Sequence, residues 1–133
     1  MPTVVATITY NRLPEIQRRL PRATQEICLE TAQDIETTVK AGMAEGKSGR
    51  WYGPHQASAP GEMPAVDTDA LSSSITSEVD GDGAVVYTDK DYAIHLEYGA
   101  PEGNLLPRPF FGPSAELARP DFIRAMRDLE SRL

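Results

Sequence analysis

The chain opens on an alternation. Val4, Ala6, Ile8 and Tyr10 interleave with Val5, Thr7 and Thr9, and a period of two in β-branched residues predicts a first strand over Thr3–Tyr10. From Leu13 the period lengthens. Ile16, Leu20, Ile27, Cys28, Ile35, Val39 and Met43 recur at threes and fours to about Glu45, the pattern of an amphipathic helix. Pro14 suits its first turn and Gly46 its stop. Pro21 lies inside the pattern and, lacking an N–H, is expected to kink the helix or to divide a short one from a long one. The part beyond it would run about 36 Å, a spine along one side of a sheet.

After Gly46 the periodicity disappears. Trp51–Ile75 carries Pro54, Pro60 and Pro64, with Gly53 and Gly61 between them. Prolines remove donors and hold their neighbours extended, while glycines supply bends. The stretch has few charges and contains the single tryptophan, which a disordered linker would not. It reads as an ordered, partly polyproline-like arm, at about 47–70, that docks on something. The competing reading is an ordinary long surface loop.

Alternation then returns. Thr68–Leu71 suits one helical turn capped by Asp67 or Thr68, and Leu71–Val79 reads as a strand. Asp80-Gly81-Asp82-Gly83 is a hairpin turn, and Ala84–Thr88 is the returning strand. Tyr92–Tyr98 fits two helical turns stopped by Gly99. Pro107–Pro113 is rigid and presents Arg108, Phe110 and Phe111. The last helix is expected to start at Pro120 and to line Phe122, Ile123, Met126, Leu129 and Leu133 along one face.

These elements define one α+β domain over 1–133. A small, mostly antiparallel sheet packs on a long N-terminal helix and a C-terminal helix, with the Pro/Gly-rich arm extending from it. At 133 residues a single domain is the expectation.

Composition narrows the function. The formal net charge is −7, and gripping the phosphate backbone needs cations that release counterions. An acidic chain argues against a DNA-gripping role; it does not argue against lining a path that DNA slides through without sticking. Cys28 is the sole cysteine, so no intrachain disulfide forms, and it reads as a small core hydrophobe. No apolar run approaches membrane-spanning length, and the N-terminal residues lack a signal-peptide pattern. No catalytic, cofactor or metal motif is present. His95 with Asp91 or Glu97 is the one acid–base pair that can be imagined. Arg50, Trp51 and Tyr52 could stack a base, but no other aromatics interleave with basic residues.

Three stretches in order carry a resemblance. The first is Gly49-Arg50-Trp51-Tyr52, then His55, Ala57-Ser58-Ala59-Pro60-Gly61-Glu62 and Pro64-Ala65. The second is Asp67–Leu71 running into Ser74-Ile75. The third is Tyr92-Ala93, Glu97-Tyr98-Gly99, Arg108-Pro109-Phe110-Phe111 and Pro113-Ser114-Ala115. Over about Gly49–Ala115 this resembles the neck and tail-completion family of long-tailed bacteriophages, the head–tail joining or protein-Z-like minor tail proteins. Asp69-Ala70, where the family usually has glycine, and Ala100, where threonine often follows, depart from its pattern.

The resemblance implies a structural virion protein without catalysis or cofactor, made in the host cytoplasm. It would be one subunit of a ring, six-fold first and twelve-fold second, between the connector or head-closure protein and the tail tube or its terminator. DNA would pass through without tight binding. Arg50, Trp51, Tyr52, His55, Pro60, Pro64, Arg108, Phe110 and Phe111 are the expected subunit-interface residues. Gly61, Leu71, Ile75, Tyr92, Glu97 and Gly99 are the structural motif. Arg108 is expected to pair with Glu97, and Lys40, Lys47 and Arg50 to contact neighbouring subunits. The alternatives are a tail-terminator ring, a small cytoplasmic enzyme using His95, and a monomeric adaptor binding one protein through the arm.

Overall fold

The computed structural model describes residues 2–65 and 69–133. Helix α1, Leu13–Ala44, dominates it. Its 32 residues make a rod of about 48 Å. Asn11 Oδ1 accepts the Leu13 amide at 3.0 Å, and Pro14 occupies the first turn, where its missing N–H costs nothing. The helix runs on through Pro21 as one element. Pro21 sits on the exposed face, so the carbonyl it leaves unbonded is open to water. At the far end Lys47 Nζ donates to the Gly42 carbonyl at 2.6 Å, a cation on the negative end of the helix dipole.

Two short antiparallel hairpins follow. β1 (Trp51–Tyr52) pairs with β2 (His55–Gln56), and β3 (Thr76–Asp80) pairs with β4 (Gly83–Tyr87). Between them lies α2, Ala70–Ser74. Helix α3 spans Ala93–Tyr98 and α4 spans Phe111–Arg127. A final 3-10 turn, Leu129–Arg132, returns to α1. There Arg132 makes a two-point contact with Glu30, both bonds at 3.0 Å. That hydrogen-bonded cation holds the Glu30 carboxyl below its usual range.

The β3–β4 hairpin lies along α1. Its turn touches Gln25, whose Nε2 donates to the Gly81 carbonyl, and its open end touches Glu36, which accepts from Ser77 Oγ. Val39 and Met43 of α1 meet Ile75, Ala93 and Phe110 in the core, with Ile35, Met63, Leu71, Val86, Leu96 and Phe111 packed around them. The apolar face of α1 is thus covered from Ala23 and Ile27 through to Val39 and Met43. Leu20, nearer the start, stays 39% exposed.

Three expectations are corrected. Thr3–Tyr10 is not part of a sheet: it has no secondary structure and is exposed throughout. Among the described residues no strand pairs with it, and alternation alone does not supply ladder partners. Leu71–Ser74 is helical, so the strand begins only at Thr76. The Ser73 and Ser74 hydroxyls donate to carbonyls of their own turn, Asp69 and Leu71, which favours a tight turn over an extended ladder. The last helix starts at Phe111, not Pro120. Pro120 lies inside it on the exposed side, because a stronger start signal lies upstream. The proposed caps Asp67 and Thr68 fall outside the described residues.

Phe110 is fully buried where α1, α2 and α3 converge. Phe110→Ala is expected to destabilise the fold by about 3–5 kcal/mol in urea denaturation. Leu20→Ala, on the open end of the same apolar stripe, should cost well under half of that.

Candidate functional site

The arm folds back on its own domain and carries the β1–β2 hairpin near its start. Gly53 and Pro54 turn the chain between β1 and β2. Below them the Ala57 amide donates to the Arg50 carbonyl at 2.9 Å, and the Gly49 amide donates to the Ala57 carbonyl at 3.0 Å. A Cβ on Gly49 would lie 2.5 Å from the Ala57 oxygen and 2.6 Å from the Ser58 oxygen. Only glycine lets the two legs approach this closely.

Glu62 ties the next bend. Its Oε1 accepts the Ala59 amide at 2.6 Å and both the amide and hydroxyl of Ser48, at 3.2 and 2.8 Å. The Ala59 amide, then the Ser48 hydroxyl, hold this carboxyl below the ordinary range. The reach of a carboxylate three residues back resembles that in a capping box.

Arg108 clamps the base of the arm. Its Nε donates to the Ser58 carbonyl at 3.2 Å and its Nη1 to the Leu106 carbonyl at 2.9 Å. Next to it, the Pro107 carbonyl accepts the Gly61 amide at 3.0 Å. The Arg108 amide turns the other way and donates to Leu96 O, near the end of α3, at 2.6 Å. Gly99 lets the chain leave α3 with φ +83°, where a Cβ would meet the Leu105 carbonyl at 2.9 Å.

Glu97, one residue beyond Leu96, serves the next element. Its Oε2 accepts the Phe110 and Phe111 amides at 2.7 and 3.1 Å, and its Oε1 accepts the Gly112 amide at 2.8 Å. Pro113 follows and has no amide to satisfy. The donors opening α4 are thus settled by one carboxylate, at the end of the helix where negative charge is favoured.

The expected Arg108–Glu97 pair therefore does not form. Both oxygens of Glu97 are taken by amides, and the Arg108 guanidinium goes to two carbonyls, Ser58 on the arm and Leu106 beside Arg108 itself. The spacing of motifs signalled that both residues matter. It did not distinguish an ion pair from two separate backbone anchors, since backbone amides carry no sequence label.

The structure sorts the other expected interface residues by exposure. Trp51 and Tyr52 are 62% and 58% exposed, and Arg50 lies over the Tyr52 ring with its guanidinium carbon 5.2 Å from the centroid. Pro60 is exposed; His55 and Phe111 are half-buried. Pro64 and Phe110 are buried in the subunit itself, so they are core residues and not surface. Of the motif residues, Ile75 is buried, Leu71 packs on the core, and Tyr92 is exposed. Gly61 takes φ +87° at the bend that meets Pro107. Within the subunit Lys40 pairs with Glu36 at 3.4 Å, Lys47 caps α1, and Arg50 lies over Tyr52.

A cavity of about 360 Å³ lies between arm and body, walled by His55, Ser58, Pro64, Tyr92, Leu96 and Arg108. His95 is exposed on α3, and Glu97 is committed to α4, so the imagined pair of these two does not assemble. Among the described residues no cluster of three or more His, Cys, Asp or Glu could hold a metal ion. Among the same residues no helix is long and apolar enough to cross a membrane.

Sequence reasoning missed Glu62 and Ser48 as the fasteners of the arm, and Ser58 and Pro107 as its docking points. Comparison with family models, with curated proteins and with solved structures finds no match to this chain.

Glu97→Ala leaves three amides at the start of α4 without their acceptor. It is expected to cost roughly 2–3 kcal/mol, since hydrogen bonds to charged groups are the strong ones, and to speed amide exchange at the start of α4. Arg108→Ala should instead loosen the arm, seen as faster tumbling of Trp51 in fluorescence anisotropy.

Proposed function

We propose that this chain is a structural subunit of a long-tailed phage or prophage neck, one member of a ring that joins the connector to the tail tube around the DNA path. The observation that carries the reading is the Trp51–Tyr52 hairpin held on a braced base. Large aromatics on a short hairpin, more than half exposed while its base is held by hydrogen bonds to Gly49, Ala57 and Ser58, are what a protein–protein contact uses as anchors. The bracing lowers the entropy lost when such a hairpin docks.

The resemblance over Gly49–Ala115 supports the same reading. Its first and third stretches meet through the Arg108 clamp, and the third is joined to α4 by Glu97. The residues that suggested the family thus build the platform from which the hairpin rises. A subunit that offers a tip to its neighbour and receives one elsewhere makes heterologous contacts, which close into a ring when the rotation permits.

Replacing Trp51 with Ala should leave the unfolding free energy of the dilute subunit, from urea titration, within about 0.5 kcal/mol of the parent, as for other surface changes. Light scattering and negative-stain imaging of concentrated protein should show closed rings for the parent and their loss for the variant. Unfolding of the dilute W51A subunit would place the tryptophan in the core and overturn the reading.

A second expectation concerns DNA. The net charge is −7, and several cations are already paired within the subunit: Lys40 with Glu36, Arg132 with Glu30, Arg124 with Asp121. Phosphate affinity depends on free Lys and Arg. A mobility-shift titration near physiological salt should therefore show no duplex binding by the isolated protein. Tight, salt-sensitive binding would count against a path that lets DNA slide.

A further inference from the structure

The segment expected to be the first strand lies bare. Val4 is 94% exposed and Ile8 80%. Yet it keeps every property of a sheet-forming strand. Thr3–Tyr10 alternates, is rich in β-branched residues, has no proline and has no charge. Each of its amides can donate to a ladder, and its burial would desolvate no ion.

A receptor for such a strand exists on the same molecule. Among the described residues β4 has one strand neighbour, β3; its other edge carries none. Two cavities of about 240 and 340 Å³ border β4 and share Val86. One is walled by Ile35 and Phe122, the other by Ile94, Tyr98 and Phe111, and no residue of β3 lines either. They form a trough along the side of β4 away from β3, whose walls carry these apolar side chains and, in the larger cavity, also Lys90, Asp91 and Glu97.

We propose that Thr3–Tyr10 of one subunit adds to β4 of a second copy of this chain as a third strand, with Val4, Ala6 and Ile8 facing the trough. Strand addition of this kind draws affinity from backbone bonds and specificity from alternate side chains. It also covers an edge that otherwise invites uncontrolled pairing.

Reach selects a second copy over the segment's own subunit. The hairpin lies beside α1 between the levels of Gln25 and Glu36. A segment folding back from Arg12 to Thr3 covers about 30 Å when fully extended. That corresponds to roughly 20 residues of helix at 1.5 Å each, ending near the level of Ala32. It would meet the Gly83 end of β4 and stop short of Val86 and Tyr87, which lie at the level of Glu36. The C-terminal turn, moreover, already lies along this part of α1, with Arg12 and Arg19 both donating to the Leu133 carbonyl and Arg132 held by Glu30. A segment from another subunit is under neither constraint. The inference goes beyond the neck reading, because any self-assembly of this chain would use the same exchange.

The test is a mixed disulfide between differently tagged full-length chains in a Cys28→Ser background. One chain carries Thr7→Cys, the other Val85→Cys, both on the face turned away from the trough. On mild oxidation of the concentrated mixture a covalent heterodimer is expected. Amides of Gly83–Tyr87 should exchange about ten-fold more slowly in concentrated than in dilute protein, as expected when an edge becomes a paired strand. Deleting residues 2–10 should abolish that difference while leaving the urea midpoint of the dilute subunit unchanged. A chain bearing both cysteines that closes on itself at high dilution would overturn the proposal in favour of pairing within one subunit. Absence of the heterodimer, with equal exchange for full-length and shortened chains at all concentrations, would overturn it outright. Repeating the crosslink with Trp51→Ala separates this contact from the hairpin: ring closure fails there, whereas the disulfide still forms.

Discussion

One carboxylate sets the geometry of the C-terminal half. Glu97 leaves the short helix α3 and accepts the amides of Phe110, Phe111 and Gly112, fixing where α4 begins and in which direction it runs. A helix start has several donors without partners inside the helix, and here the sequence meets the need with one Glu and a proline that removes a further donor. With α4 placed, Phe110 is driven into the junction of α1, α2 and α3, and the core closes around it. Both the burial of Phe110 and the position of Arg108 depend on that start.

The same junction carries the arm. Leu96 and Glu97 are adjacent, and they hold Arg108 and Phe110–Gly112 through backbone groups. Arg108 in turn holds Ser58. The guanidinium suits this task because it presents several donors in a fixed plane, two of which reach carbonyls on different segments. A hairpin carrying exposed Trp51 and Tyr52 is thereby connected to the core through a short relay of hydrogen bonds. Little in the arm itself would keep it upright, since its two-residue strands are too short to be stable alone.

The long helix, the β3–β4 hairpin, α3 and the α+β class were legible because each is a local pattern: a 3.6-residue period, an Asp-Gly turn, a Gly stop. What was not legible depended on partners remote in sequence. Pro120 looked like a helix start because proline favours that position, but the upstream acceptor, Glu97, outweighed it. Leu71–Ser74 alternated like a strand, while the serine hydroxyls satisfied a turn instead. At the site, Trp51 and Tyr52 were read as surface anchors and are exposed. Phe110, in the same motif class, is fully buried and Phe111 packs beside it on the core, because Glu97, remote in sequence, fixes how this helix start is turned.

The first strand is the most informative of these differences. A sequence with strand character that finds no ladder within its own chain is locally consistent and globally incomplete. Natural chains usually blunt such a segment with charge or proline, and Thr3–Tyr10 has neither. Its apolar positions would be a liability in a permanently monomeric protein, since uncharged β-branched stretches without proline are prone to intermolecular pairing. They fit a chain whose sheet is completed by another subunit. On that view two exposed features share one physical cause: the bare segment ahead of α1 and the aromatic hairpin after it both carry apolar surface that the single subunit has no means to bury.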